Sequence, residues 1–518
     1  MSSILFSRRK LFEAGAAAVA AAGVAAIPGA ALARPAPAPG RESESETLFR
    51  EGDEERFRSS LHNAYLFLNT MMDAYAQGST TRLSQSYSDE IGLESTAFVY
   101  DNAVEIMARL LRGSGQDVAR AQVLGNGLLY AQQIDPAADG RVRQAYFVDH
   151  ADSQGVFIVP SGFPFFFQGS ATGDLAWTGM ALAQLANRTG IEAYLDGAVR
   201  LGNWIFNNTF DTRGAGGYNF TSGANQVKST EHNIDVFALF TMLARLTGHS
   251  ATWTDRADRA RIFVDAMFYI PGGFFFTGTG PDGISVNLNL SQNNIPEDVQ
   301  DWSFQAFFNR DHAASIDWCK TNLAVTDTPQ TYNSDLVPAH NNNLTGNIRV
   351  SGVSFATQSM RPPLREDEKT ESPCIIAPSD QFSKQPNPSA VWLEGTGHLA
   401  AALLSRRLRR NRDIDGFNGD VDTARMLLDN IRVAQNNLGK GQHVGGGQPF
   451  IGLGKPAQTI PDGLGVIAAT SELNTGFGFS FKRFLHIAAT GWYVIAVQAG
   501  NPFRLGLRED RDEDQDRG

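Results

Sequence analysis

Cysteine is nearly absent: the 518 residues hold two, Cys319 and Cys374. That excludes a scaffold built on disulfides. The two do not form a CxxC pair, so a thiol-based metal site is excluded as well. At most one disulfide can form. Cys319 lies in the helix-like SIDWCKTNL, where a buried thiol fits as well as a bridge. Positive charge is also scarce, with 44 Lys and Arg against 55 Asp and Glu and a net charge of −11. Nucleic acid is therefore a poor partner, because phosphate binding needs a basic face. No run beyond the N-terminal region is apolar for long enough to span a bilayer. The chain also lacks an HExxH pair, a P-loop, a dinucleotide fingerprint and a nucleophile elbow. No catalytic metal and no cofactor are expected. A structural Ca²⁺ fits the Asp/Asn-rich loops better than a metal fits Glu231, His232 and Asp235, since neighbouring helical residues point about 100° apart.

What is present is an ordinary globular mixture, 42% hydrophobic, with many glycines (51) and phenylalanines (34). Ser7-Arg8-Arg9-Lys10-Leu11-Phe12 resembles a twin-arginine export signal. An Ala/Gly stretch and a small-residue cleavage site at Ala31-Leu32-Ala33 follow it. Residues 1–33 are expected to be removed and the protein to be periplasmic or secreted, with no membrane span afterwards. A Pro-rich, polar linker occupies 34–54, the main domain 55–505, and a charged tail 506–518.

Within 55–505, apolar residues recur at helical spacing in twelve segments. They alternate in character. One set is apolar nearly all round and reads as buried on several sides: 96–111, 174–190, 229–248, 297–310, 389–410 and 485–503. The other is amphipathic and reads as an outer layer: 117–134, 191–209, 252–268, 313–323, 420–438 and 55–75. Short inner-to-outer turns make this an antiparallel helix-pair repeat. Six inner and six outer helices predict an all-α fold, an (α/α)6 toroid, with the first helix beside the last. The outer-to-inner connections are long and rich in Gly, Phe and Asn, with short β-like runs. They all fall at one end, and loops of that length are usually functional.

Polar residues collect in the first turns of the inner helices, at that loop end. Asp101 lies in VYDNAV, Asp174 and Trp177 in GDLAWTG, and Glu231, His232, Asn233 and Asp235 in STEHNID. Glu297, Asp298, Asp301 and Trp302 lie in EDVQDW. Trp392, Glu394 and His398 lie in VWLEGTGH, and His486, Trp492 and Tyr493 in HIAATGWY. Helix capping accounts for Glu297 and Asp174, because helix starts welcome acids. It accounts poorly for Asp235 and Glu394, which sit inside apolar segments where a lone carboxylate is costly. Glu231 and Asp235 are four apart on one face, and their repulsion raises the pKa of one. Trp177, Trp302, Trp392 and Trp492 are core residues or platforms for sugar stacking.

YDNA (100–103), AWTGMAL (176–182), STEHNID (229–235), DVQDW (298–302), WLEGTGH (392–398) and the closing HIAATGWYVIA…NPF together resemble the carbohydrate-active (α/α)6-toroid enzymes. These are inverting glycoside hydrolases with related polysaccharide lyases and sugar epimerases. The resemblance spans roughly 55–503 and implies an exported glycoside hydrolase acting on a neutral poly- or oligosaccharide, a glucan first among them. Glu231 is expected as general acid and Glu394 as base, with Asp235, Asp101 and Asp298 as further carboxylates. Trp177, His232, Asn233, Trp302, Trp392, His398, His486, Trp492 and Tyr493 are expected to bind the substrate. A lyase acting on a uronate polymer and a non-catalytic sugar-binding protein are the alternatives. The acidic net charge speaks against the first. Oligomeric state is open.

Overall fold

The computed structural model describes residues 53–75, 78–89, 93, 95–149, 166–223, 226–286, 294–329, 348–361, 386–409, 418–447, 457–477 and 479–508. The export signal, most of the linker, Cys374 and nearly all of the charged tail fall outside these residues. Among the described residues, no helix is long and apolar enough to cross a membrane.

The described residues contain twelve α-helices. Six are inner: α2 (Val99–Arg112), α4 (Thr172–Thr189), α6 (Thr230–Leu246), α8 (Asp298–Phe307), α10 (Leu393–Arg409) and α12 (Ile487–Val497). Six are outer: α1 (Asp53–Met72), α3 (Gly115–Ile134), α5 (Glu192–Thr209), α7 (Ala251–Ala266), α9 (Ala313–Asn322) and α11 (Asn418–Asn437). Each inner helix packs on the next, α12 packs on α2, and α1 packs on α12, so the ring closes. This is the (α/α)6 toroid expected from the alternating pattern. Every residue of α12 is buried, because α1, α2, α10 and α11 all pack on it. An apolar-all-round helix is the one such a position selects.

Helix-stop chemistry keeps the inner-to-outer turns short. Gly113 (φ 63°) caps α2 in the left-handed region and its N–H donates to the Arg109 carbonyl. Ser114 then caps α3, its side chain accepting from the Asp117 N–H. Gly190 (φ 70°) ends α4 in the same way.

At the other end, three of the inner helices begin later than their apolar patterns suggest. Helical starts were expected at 96, 389 and 485; α2, α10 and α12 start at Val99, Leu393 and Ile487. The residues in front of them are extended and paired. Strand β1 (Thr96–Phe98) pairs antiparallel with β2 (Ala145–Phe147), linking the approach to α2 with the loop before α4. Bridges continue around the rim: Ala171 with Thr221, Ser229 with Gly278, Pro296 with Ala356, Trp392 with Ala469, and His486 with Tyr87. Every inner helix is thus tied at its entry to the loop that leads to the next one. Apolar periodicity cannot register this, since a paired extended residue and a buried helical one are equally apolar. The bridges fix where each first turn sits, and so where its side chains point. Four further two-stranded sheets lie among the described loops: β3 (Phe268–Tyr269) with β4 (Phe274–Phe275), β5 (Ala324–Asp327) with β6 (Val350–Val353), β7 (His443–Val444) with β8 (Gln458–Thr459), and β9 (Leu473–Asn474) with β10 (Ser480–Phe481).

Gly395 is the tightest point of the inner ring. A Cβ there would stand 2.2 Å from Trp392 Cε3 and 2.8 Å from Glu297 Oε2. Gly395→Ala is expected to cost about 1–3 kcal/mol, the usual range for overpacking, read as a lowered denaturant midpoint. Gly419→Ala, where nothing lies within 4 Å, is the control and should be neutral or stabilising.

Candidate functional site

The first turns of the inner helices and the loops before them enclose a cleft of about 460 Å³. Asp101 on α2, Asp174 and Trp177 on α4, and Glu231 and His232 on α6 line it. So do Asp298 and Trp302 on α8, Glu394 and His398 on α10, and Trp392 and His486 at the entries to α10 and α12. The expected convergence of distant acidic turns on one hollow is therefore present. Glu231 and Glu394 face the same cleft from α6 and α10, with α8 between them in the ring.

Four of the expected site residues are not among those lining it. Asn233 is a brace: its side chain accepts from the Tyr218 N–H and donates to the Tyr218 and Ser229 carbonyls. Tyr493 faces outward, its hydroxyl donating to Ser60 Oγ on α1 at 2.8 Å. Asp235 is fully buried behind Gly173, where a Cβ would meet His232 Cδ2 at 2.5 Å and Asp235 Oδ2 at 3.1 Å. Burial, then the charge of Glu231, pushes the Asp235 carboxyl well above the ordinary range. Trp492 lies beneath the cleft, and its indole N–H donates to the Tyr100 hydroxyl at 2.8 Å.

Glu394 is the centre. Tyr100 donates its hydroxyl proton to Glu394 Oε1 at 2.6 Å. His398 Nε2 stands 3.6 Å from Oε1, and His486 Nδ1 stands 3.7 Å from Oε2. Burial by itself would raise this carboxyl. His398, His486 and Tyr100 more than offset it and hold Glu394 below its ordinary value, as an anion. Each imidazole has a second acid behind it. His398 Nδ1 lies 2.9 Å from Glu297 Oε2, and His486 Nε2 lies 3.3 Å from Asp101 Oδ2. His486 also stacks on Tyr87, with centroids 4.0 Å apart and planes at 5°.

The other carboxyls around the anion are pushed the opposite way. Burial raises Asp298 to about 7, with the charge of Glu394 adding to it, against a hydrogen bond accepted from the Val299 N–H at 2.7 Å. Burial also raises Asp101, only partly offset by His486. Burial lowers His398, which is neutral at pH 7. The tautomer of His398 then follows from charge. The charge of Glu394 favours the tautomer with the hydrogen on Nε2, in which Nδ1 accepts and Glu297 donates. Glu297 must be protonated for that, and burial followed by the charge of Asp301 drives its pKa well up.

Trp177, Trp302, Trp492 and Phe503 close the hollow below. Trp302 stacks on Trp492 (5.9 Å, 15°) and Trp177 meets Trp302 edge-on (5.2 Å, 61°). These tryptophans are core first; Trp177 and Trp302 also show a face to the cleft.

Two functional residues escaped the sequence. Tyr100 was passed over between Val99 and Asp101, yet it supplies the shortest bond to Glu394. Glu297 was read as a cap; it occupies the cap position with no side-chain cap bond, and its carboxyl turns inward to His398. The signal available was its position immediately before two further acids in an apolar segment. Glu297, Asp301 and Cys319 form a buried cluster within 4.8 Å, the sole grouping of three such donors among the described residues. It lies behind His398, not in the Asp/Asn-rich loops, and a thiol does not suit calcium. Cys319 is a free, fully buried thiol beside Asp301 Oδ2.

No family model matches the chain, and no curated sequence is similar to it. Solved structures share its fold. A glycosidase variant in complex with glucose superposes with a TM-score of 0.51 at 12% identity, over 89% of this chain and 100% of that one. A wild-type glycosidase gives 0.50 at 11% identity, over 89% and 100%. Cellobiose 2-epimerase from Bacillus thermoamylovorans B4167 gives 0.50 at 10% identity, over 85% and 99%. The shared feature is the (α/α)6 toroid.

Tyr493→Phe separates a brace from a ligand contact. It should lower stability by about 1 kcal/mol, the worth of one buried hydrogen bond, seen in denaturant unfolding, and leave KM unchanged. A raised KM would put Tyr493 in the site.

Proposed function

We propose that the protein is a glycoside hydrolase that inverts configuration at the anomeric carbon, with Glu394 as general base and Asp298 as general acid. The observation that carries this reading is a pair of carboxyls in one cleft driven in opposite directions. Glu394 is held ionised by Tyr100, His398 and His486, while Asp298 is raised to about 7 by burial. Two acids with divided pKa values are what acid/base cleavage of an acetal requires. A water attacks the anomeric carbon and gives its proton to Glu394. The bond from that carbon to the glycosidic oxygen breaks, and the oxygen takes the proton of Asp298. Water has then been added across the bond, and both carboxyls return to their starting states by exchange with solvent. Glu231, the acid expected from the sequence, faces the same cleft and is proposed to hold a substrate hydroxyl. The leader at 7–12 carries the further proposal that the enzyme works outside the cytoplasm.

A second reading has its own support. Two imidazoles, each backed by an acid, flank Glu394, and a sugar epimerase needs two such groups to remove and return a carbon-bound proton. A uronate lyase has less. Among the described lining residues Lys228 is the one lysine or arginine that could neutralise a uronate carboxylate, and its Nζ already donates to the Arg213 carbonyl at 2.8 Å.

Proton NMR in D₂O on a panel of neutral glycosides decides between them. Hydrolysis with an inverted anomer and no deuterium on carbon supports the proposal; deuterium at C2 of a reducing sugar supports epimerisation. Glu394→Gln and Asp298→Asn should fold and lose about 100-fold or more in kcat. Glu231→Gln should cost about tenfold or less, the worth of one hydrogen bond.

The pH profile has a definite sign. Glu394 must be ionised, so activity falls as pH drops through its value, below 4.5. Asp298 must be protonated, so activity falls as pH rises through about 7. Wild-type activity that is flat from pH 5 to 9 would remove Asp298 from the role.

A further inference from the structure

The rim of the cleft is divided into two unlike arcs. The loops before α6 and α8, adjacent in the ring, present Lys228, Ser229, Thr277 and Thr279 with Phe220 and Val227 among them, and Glu231 stands beside them in the first turn of α6. The loops before α10, α12, α2 and α4, also consecutive in the ring, present Phe355, Phe479, Phe481, Phe98 and Phe167. The aromatic arc is continuous. Phe167 meets Phe98 edge-on at 4.7 Å, Phe98 and Phe481 pack on a common cluster, and Phe481 stacks on Trp392 at 5.8 Å and 20°. Phe355 meets Trp392 at 4.6 Å and Phe479 at 6.0 Å.

This wall is built rather than incidental. Phe477, Phe479 and Phe481 fall within five residues on the tip and second strand of the β9–β10 hairpin, all half-buried and all lining the cleft. The tip is braced. Thr475 N–H and Oγ1 donate to the Phe479 carbonyl at 3.1 and 2.7 Å, the Phe477 N–H donates to Thr475 Oγ1 at 3.2 Å, and Asn294 Nδ2 donates to the Thr475 carbonyl at 3.1 Å. Half-buried phenyl rings at 477, 479 and 481 together present an apolar patch to the cleft, and such patches mark binding surfaces. Hydrogen-bonding side chains are sparse along this arc, so an apolar group gains more from it than a second pyranose, which could lay only its C–H face on the rings.

Resting on the hydrolase reading, we infer that the aromatic arc is the leaving-group subsite and that the substrate is a glycoside of an apolar aglycone, alkyl or aryl, rather than a glucan chain. The polar arc and the carboxyls take the sugar; the phenyl wall takes the aglycone.

The test uses matched methyl, octyl and 2-naphthyl pyranosides of glucose, galactose and mannose in both anomers, with cellobiose and maltose as hydrophilic controls. The expected result is a kcat/KM at least tenfold higher for octyl or naphthyl than for the methyl glycoside or disaccharide of the same sugar. The octyl and naphthyl arms separate a lipid from an aryl source. The ratio should collapse towards one in Phe477→Ser/Phe479→Ser, and partly in the milder Phe479→Leu. Equal kcat/KM across methyl, octyl and disaccharide overturns the inference while leaving hydrolysis standing. Should no glycoside be cleaved, the hydrolase reading falls, and the subsite is judged by 2-naphthol alone. Saturable quenching of tryptophan fluorescence, lost in the double serine variant, supports it, and its absence overturns it.

Discussion

One electrostatic constraint organises the molecule: a buried carboxylate, Glu394, held low in its pKa at the bottom of the cleft. An uncompensated buried charge is prohibitive. Here it is compensated by alternation. Asp101, His486, Glu394, His398 and Glu297 follow one another, acid and imidazole in turn, at 3.3, 3.7, 3.6 and 2.9 Å. Only the middle acid is driven below its ordinary value; burial drives those at the ends up. A single negative charge thereby stands between two imidazoles and the Tyr100 hydroxyl, instead of three carboxylates repelling one another.

No single segment could build that chain of groups. Its members come from α2, α10, the residue before α8 and the residue before α12. Their meeting depends on the rim bridges, which fix where each inner helix starts. The GTG sequence after Glu394 serves the same end. Gly395 lets Trp392 and Glu297 close in from either side, and the four-residue step from Glu394 to His398 puts both on one helix face. Fold and site are thus the same set of contacts, seen at the level of helices and then of atoms.

The toroid was legible because it rests on period and alternation, which a chain displays openly. The cleft was legible because acids inside apolar helix starts are anomalies, and Asp101, Glu231, Asp298 and Glu394 all face it. Three things were not readable. The helix starts were misplaced where bridge pairing and helical burial select the same apolar residues, as at 96–98 and 389–392. Tyr100 was invisible because a tyrosine beside a core stripe is ordinary until its hydroxyl is seen on Glu394. Glu297 was misread because a glutamate at a helix start normally caps it, and only the inner ring reveals that this one turns away from the helix end.

That misreading shows where local rules stop. A capping acid is favoured as an anion, held by orphan N–H groups and the helix dipole. Glu297 is the opposite species. It has no side-chain cap bond, it is fully buried, and that burial, then the charge of Asp301 one turn on, drives its carboxyl well up. Its proton is what lets His398 accept at Nδ1 and so turn Nε2–H towards Glu394. Were Glu297 ionised, His398 would donate to it instead, and Glu394 would lose one of the donors that keep it an anion. The charge on the proposed base is therefore set three residues and two hydrogen positions away, by whether a buried pair of acids can both ionise. Burial, which raises both Glu297 and Asp301, opposes it.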